Sequence, residues 1–192
     1  MSRHAAPCIA LAMLLGMSSC ASTGLDGATT TAPHSPLEPW LGTWSGTAIN
    51  HRPDGSSFDF PMVLDIGPIE GSTDRYTWTI TYGEGERRQV RPYELAVIDP
   101  DTGRFAIDEK NSIVLDTVLL DGALYSQFEI EGVRLTTVNR LGPGPDEMTC
   151  EILTTSTEAA SITGNSQGVP PVGLFPPRSL QRAVLTRSAT AN

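Results

Sequence analysis

Between residues 58 and 66 every second side chain is large and apolar: Phe58, Phe60, Met62, Leu64 and Ile66 alternate with Asp59, Pro61, Val63 and Asp65. A period of two is the repeat of a β-strand that turns one face to a core. Tyr76, Trp78, Ile80 and Tyr82 alternate with Thr77, Thr79 and Thr81 in the same way, using the aromatic and β-branched residues that suit a pleated surface. Turn chemistry punctuates the pattern. Gly83-Glu84-Gly85-Glu86 breaks the chain before a strand around Tyr93 to Ile98, which ends at Asp99-Pro100-Asp101-Thr102-Gly103, where proline presets φ and glycine supplies the positive φ of a hairpin. Phe105 and Ile107 lead on to Ile113–Leu120, and Asp121-Gly122 is a two-residue hairpin signal. Beyond it Leu124, Ser126, Phe128 and Ile130 alternate with Tyr125, Gln127, Glu129 and Glu131. Further strands are expected over 133–141, 148–155 and 180–187, the first two separated by Gly142-Pro143-Gly144-Pro145.

Nine or ten short strands joined mostly by tight turns, with no i, i+3, i+4 apolar stripe, predict an all-β antiparallel meander. Closure into a barrel removes its edges. A β-sandwich is the alternative. The domain is expected to span residues 39–188.

The stretch Pro39-Trp40-Leu41-Gly42-Thr43-Trp44-Ser45-Gly46-Thr47 stands where small polar composition gives way to strand-like alternation. A Gly42-x-Trp44 at the head of the first strand resembles the calycin group of barrels, lipocalins and nitrobindin-like proteins among them. The resemblance implies that Trp44 closes the barrel base, with Gly42 beside it and a final-strand arginine packed over the indole; Arg182 and Arg187 are both placed for this. Trp40, at the junction with the preceding segment, is expected to matter less. The other lipocalin signatures are missing. Nitrobindin-like barrels bind haem through a late histidine, and no histidine follows His51.

Residues 1–20 run from Ser2-Arg3-His4 through the apolar stretch Ala5–Met17 to Ser18-Ser19-Cys20-Ala21, which looks like a bacterial lipoprotein signal with Met17 in place of the preferred leucine. About a dozen apolar residues are too few to span ~30 Å of hydrocarbon. This predicts a leader over 1–19, a lipid such as palmitate on Cys20, and attachment to the outer membrane with the domain in the periplasm; an ordinary signal cut near Ala21, with Cys20 a free thiol on a soluble protein, is the alternative. Residues 20–38, His34 included, read as a tether reaching on the order of 25 Å, and 189–192 as a loose tail. Cys8 would leave with the leader, and Cys150 shares its strand face with Met148 and Ile152, so a buried, inert thiol is expected.

Acidic residues outnumber basic ones by 22 to 13, and the formal net charge is −9. Lys110 is the sole lysine and no run of bases exists, which argues against nucleic acid and anionic membrane surfaces as partners. No metal or cofactor is implied. His51 sits in turn composition beside Arg52-Pro53-Asp54-Gly55, no His/Cys cluster suits zinc, Asp99-x-Asp101-x-Gly103 lacks the remaining calcium ligands, and Gly83-x-Gly85 lacks the third glycine of a phosphate cradle.

What remains is a set of residues suited to holding a small, partly apolar molecule: Arg91, Tyr93, Trp78, Tyr125 and Phe175. The face carrying Tyr125, Gln127 and Glu129 either meets water or lines a polar interior. Residues 157–179 form a Gly- and Pro-rich connection whose apolar tip, Val172, Leu174 and Phe175, either closes the mouth as a lid or packs over the barrel's end with no part in binding. Non-catalytic binding is the leading expectation for function. A filled barrel that docks a protein partner and a carboxylate-based enzyme are the alternatives; a hollow interior would separate them.

Overall fold

The computed structural model describes residues 37–188 apart from 167. The expected leader, Cys20, most of the tether and the 189–192 tail lie outside the described residues. A 3-10 turn at Glu38–Trp40 leads into twelve strands. They are β1 Gly42–His51, β2 Ser57–Pro68, β3 Arg75–Tyr82, β4 Gln89–Asp99, β5 Arg104–Asp108, β6 Val114–Leu120, β7 Ala123–Ile130, β8 Val133–Leu141, β9 Glu147–Ser156, β10 Ser161–Thr163, β11 Val172–Leu174 and β12 Pro177–Arg187. A second 3-10 turn, Gly85–Arg87, joins β3 to β4.

Ten of these strands form one closed antiparallel barrel in the order β1-β12-β9-β8-β7-β6-β5-β4-β3-β2, while β10 and β11 pair separately as a two-stranded ribbon. The barrel, not the sandwich, is the way this meander disposes of its edges. Its seam runs antiparallel between β1 and β12, from Trp44 opposite Arg187 to His51 opposite Leu180. Gly46 permits that seam: a Cβ there would collide with the Val184 carbonyl oxygen. Gly42 adopts φ +129°, and a Cβ would stand 3.2 Å from Nη1 of Arg187.

The inward faces follow the sequence alternation. Met62, Leu64 and Ile66 of β2, Trp78 of β3, Leu95 of β4, Phe105 and Ile107 of β5, Leu124 of β7, Met148 and Cys150 of β9, and Ala183 and Leu185 of β12 make one buried cluster with Leu37, Trp40 and Trp44. The cluster is densest at the end where the chain enters. The opposite end, ringed by the turns after β1, β3, β5 and β7, is open.

Three expectations are corrected here. Trp40 is not peripheral: it is 2% exposed, because the Glu38–Trp40 turn folds under the barrel and plugs its base. The 157–179 segment is not without strands, since Ser161–Thr163 and Val172–Leu174 pair there, and β12 starts at Pro177 instead of Leu180. Strand β4 begins at Gln89, with Pro92 on its outward face where the ring displaces no core side chain.

Candidate functional site: a two-walled barrel cavity

At the base, Trp44 is fully buried and its Nε1–H donates to the Trp40 carbonyl at 2.8 Å. Arg187 covers the indole, its guanidinium carbon 4.1 Å from the ring centroid. The same guanidinium donates to the carbonyls of Leu41, of Pro39 at 2.8 Å and of Pro145 at 3.0 Å, and Asp146 lies 3.4 Å from Nε. One side chain of the last strand thus ties down the entering chain and the β8–β9 turn. Arg182 does not take this part. Its position on β12 has the opposite parity to Ala183 and Leu185, so it points outward and pairs with Glu151 across the strand at 2.5 Å.

Above this plug the barrel is hollow. A cavity of about 1120 Å³ opens at the far end; ligand pockets commonly occupy ~300–1000 Å³. Its two walls differ in chemistry. One, from β2 and β3, is aromatic: Phe58 and Phe60 lie 6.0 Å apart, Phe60 meets Tyr82 edge-on at 5.7 Å, and Trp78 and Ile80 continue the surface inward. Guanidinium groups flank this row, Arg52 at 5.4 Å from the Phe58 centroid and Arg91 at 5.8 Å from that of Tyr82. The facing wall carries uncharged polar groups. Thr117 and Ser126 share a buried hydroxyl–hydroxyl hydrogen bond of 2.7 Å, Thr137 stands directly across from Ser126, and Asn139 follows Thr137 on the same face of β8.

Arg91 is the cation that reaches the cavity from strand β4. Its Nη1–H donates to the Tyr93 hydroxyl at 3.2 Å, and among the described residues no carboxylate lies within 4.0 Å of its guanidinium. The Tyr93 hydrogen bond holds its pKa above the usual arginine value. Burial pushes the Tyr82 hydroxyl upward, opposed by the Arg91 charge and a hydrogen bond with Gln181. The Tyr82 hydroxyl is therefore neutral and able to donate. Glu84, Glu109 and Glu129 stand at the rim, and Glu129 is engaged by Arg134 at 2.6 Å.

Of the residues singled out in sequence, Trp78, Arg91 and Tyr93 line the cavity together. Tyr125 does not: buried Leu124 and Ser126 fix the inward parity of β7, and the Tyr125 hydroxyl accepts from Arg140 Nη2 at 2.9 Å on the outer surface. Phe175 does not either; it lies just beyond β11, 42% exposed, and among the described residues of the 157–176 segment none lines the cavity, so the segment does not cover the mouth in this structure. His51 ends β1 exposed. Cys150 lines the cavity wall, and burial pushes its thiol up to about 12. The Asp99 carboxylate accepts the backbone N–H of Asp101 at 3.1 Å and of Thr102 at 3.3 Å, which makes it a turn cap. Among the described residues no group of three or more His, Cys, Asp and Glu side chains is arranged to hold a metal.

Sequence reasoning missed Tyr82, Thr117, Thr137 and Gln181 as wall residues. A signal existed for Ser126, which shares the inward alternation of Leu124 and Phe128; a serine between two core residues marks polarity inside the barrel.

No family model and no curated protein matches the chain. Several solved structures resemble its fold, among them two with a TM-score of 0.54. One is a protein of unknown function from the DUF3598 family of Nostoc punctiforme, with TM-score 0.54 and 16% identity over 79% of this chain and 49% of that one. The chain therefore spans about half the length of the Nostoc protein. The other is the S-type phycobiliprotein lyase CpeS from Guillardia theta, with TM-score 0.54 and 10% identity over 81% of this chain and 92% of that one. At these identities the likeness is one of fold alone, an antiparallel β-barrel.

Proposed function

We propose that the barrel binds a small amphipathic molecule without transforming it, and that the protein does so as a lipoprotein of the bacterial cell envelope, held to the outer membrane through Cys20. The observation that carries the binding reading is the open cavity of about 1120 Å³ with its aromatic wall. A barrel meant only as a scaffold would be filled by its own side chains. An apolar ligand body fits against Phe60, Trp78 and Ile80, and neutral acceptor groups on it meet the hydroxyls of Thr117, Ser126 and Thr137. An anionic end fits Arg91 at the mouth, where the phenols of Tyr82 and Tyr93 add donors.

Carboxylate catalysis has less support. The carboxyl groups displaced from their ordinary pKa, Asp54, Glu94, Asp99 and Asp108, all move downward, and all lie in turns or on the outer surface. A proton-donating carboxyl would be raised and face the cavity. The Guillardia protein is named a lyase, and its barrel shows that this fold also accommodates an enzyme.

Titration with a fluorescent probe that joins an apolar ring system to a sulfonate tests the reading. The account expects saturable single-site binding by the wild type and weaker binding by Arg91→Gln. Failure of the wild type to saturate would move the protein-docking alternative ahead. For the anchor, Cys20→Ala should release the domain from the membrane fraction; a variant that still sediments with outer membranes after a high-salt wash would contradict lipidation at Cys20.

A further inference from the structure

The geometry points to a second functional element: the β10–β11 ribbon is a membrane-contacting hairpin that enters the surface of a phospholipid bilayer beside the cavity mouth. From Ala159 to Pro177 there is no Asp, Glu, Lys or Arg, in a chain of which 18% is charged. Ile162, Val172, Leu174 and Phe175 are 69%, 48%, 44% and 42% exposed. The register places Val172 and Leu174, opposite Thr163 and Ser161, on one face of the ribbon, and Ile162 on the other. Apolar groups on both faces suit an apolar medium that surrounds the hairpin, whereas a folded protein partner would cover one side.

The backbone is prepared for the same medium. Strand pairing and the bonds Ala160 N–H to Leu174 O (2.8 Å), Asn165 N–H to Val169 O (3.2 Å) and Val169 N–H to Ser166 O (3.0 Å) use the donors along its inner edge. Pro170, Pro171, Pro176 and Pro177 have no N–H to desolvate. The same prolines flank β11 and oppose edge-to-edge addition of a second copy.

Position supports a bilayer as the occupant. The ribbon leaves the barrel at Ser156 and returns at Pro177, both at the mouth end, and lines none of the cavity. A lipid on Cys20, as the sequence predicts, would leave seventeen residues to Leu37 at the base. Fully extended at ~3.3 Å each they reach on the order of 55 Å, beyond the ~33 Å length of a ten-residue strand. The mouth end can therefore face the membrane that holds the anchor. With a net charge of −9, the surface it suits is zwitterionic, not anionic.

The full chain carrying Phe175→Trp, mixed with phosphatidylcholine vesicles, tests this. The native tryptophans Trp40, Trp44 and Trp78 are buried, so wild-type emission should be the same on ordinary lipid and on lipid brominated along its acyl chains. Phe175→Trp should lose most of its added emission on the brominated lipid, and Leu174→Asp in the same chain should abolish that loss. Equal emission from Phe175→Trp on the two lipids overturns the inference and leaves the exposed side chains to a protein partner. Quenching that survives Leu174→Asp overturns it as well.

Discussion

The Arg187 guanidinium lies 4.1 Å from the centroid of the Trp44 ring while donating to three backbone carbonyls, so the last strand closes over the first through one cation and one indole. The seam is secured where the polar ends of the chain meet the apolar plug. Trp44→Ala is expected to cost about 3–5 kcal/mol, the usual loss for a fully buried large side chain. Trp40→Ala belongs in the same range, because the Trp40 side chain is as fully buried in the plug. A double-mutant cycle of Trp44→Leu with Arg187→Gln should return a coupling of about 0.5–2 kcal/mol. Denaturant melts with either tryptophan variant within about 1 kcal/mol of wild type would remove the plug from the account.

A second prediction concerns acid. On the outer face Glu94 stands opposite Asp108 across the β4–β5 ladder, a like-charge pair that Arg75 bridges at 2.6 and 2.9 Å and Lys110 approaches at 3.0 Å from Glu94. Hydrogen bonds from Lys110 and Arg75 lower the Glu94 pKa, and the Lys110 backbone N–H followed by Arg75 lowers that of Asp108. Folded-state values below the unfolded ones mean that the unfolded chain binds protons first as pH falls. The stabilisation is complete above the ordinary carboxylate range of about 4 and is lost as pH drops through the lowered folded values. Arg75→Gln should therefore destabilise at pH 7 and converge on wild type under strongly acid conditions, as followed by denaturation midpoints. A difference that stays constant with pH would contradict the network.

Cys150 gives a kinetic prediction. The thiol is buried in the cavity wall with its pKa pushed up to about 12, so almost no thiolate exists at neutral pH. Peptide mapping after maleimide treatment should find Cys150 unmodified in the native protein and modified in denaturant. Rapid native labelling at Cys150 would place it outside the wall.

Much of the barrel was legible because alternation survives wherever a strand has one dry face. Phe58 to Ile66 and Tyr76 to Tyr82 point inward as their spacing says. Where outward positions are also apolar, parity blurs: Val184 beside Ala183 and Leu185 left Arg182 and Arg187 equally eligible, and burial of Ala183 and Leu185 resolves them. Tyr125 looked like a ligand residue because β7 carries polar groups on both faces, Ser126 within and Gln127 without. The weight of Trp40 was underrated since a three-residue 3-10 turn has no period to read. The ribbon was hidden by its glycines and prolines, which depress strand propensity without preventing three pairs from forming.

Methyl NMR during titration with a twelve-carbon alkyl carboxylate tests most directly whether the interior is a binding site. The account predicts saturable shifts at Met62, Ile80, Ile107 and Ile152, which face the cavity, and none at Val114, Leu120 or Val184, which face solvent across the barrel wall. Shifts confined to the outward methyls, or no shift at any inward one, would contradict a ligand-binding barrel.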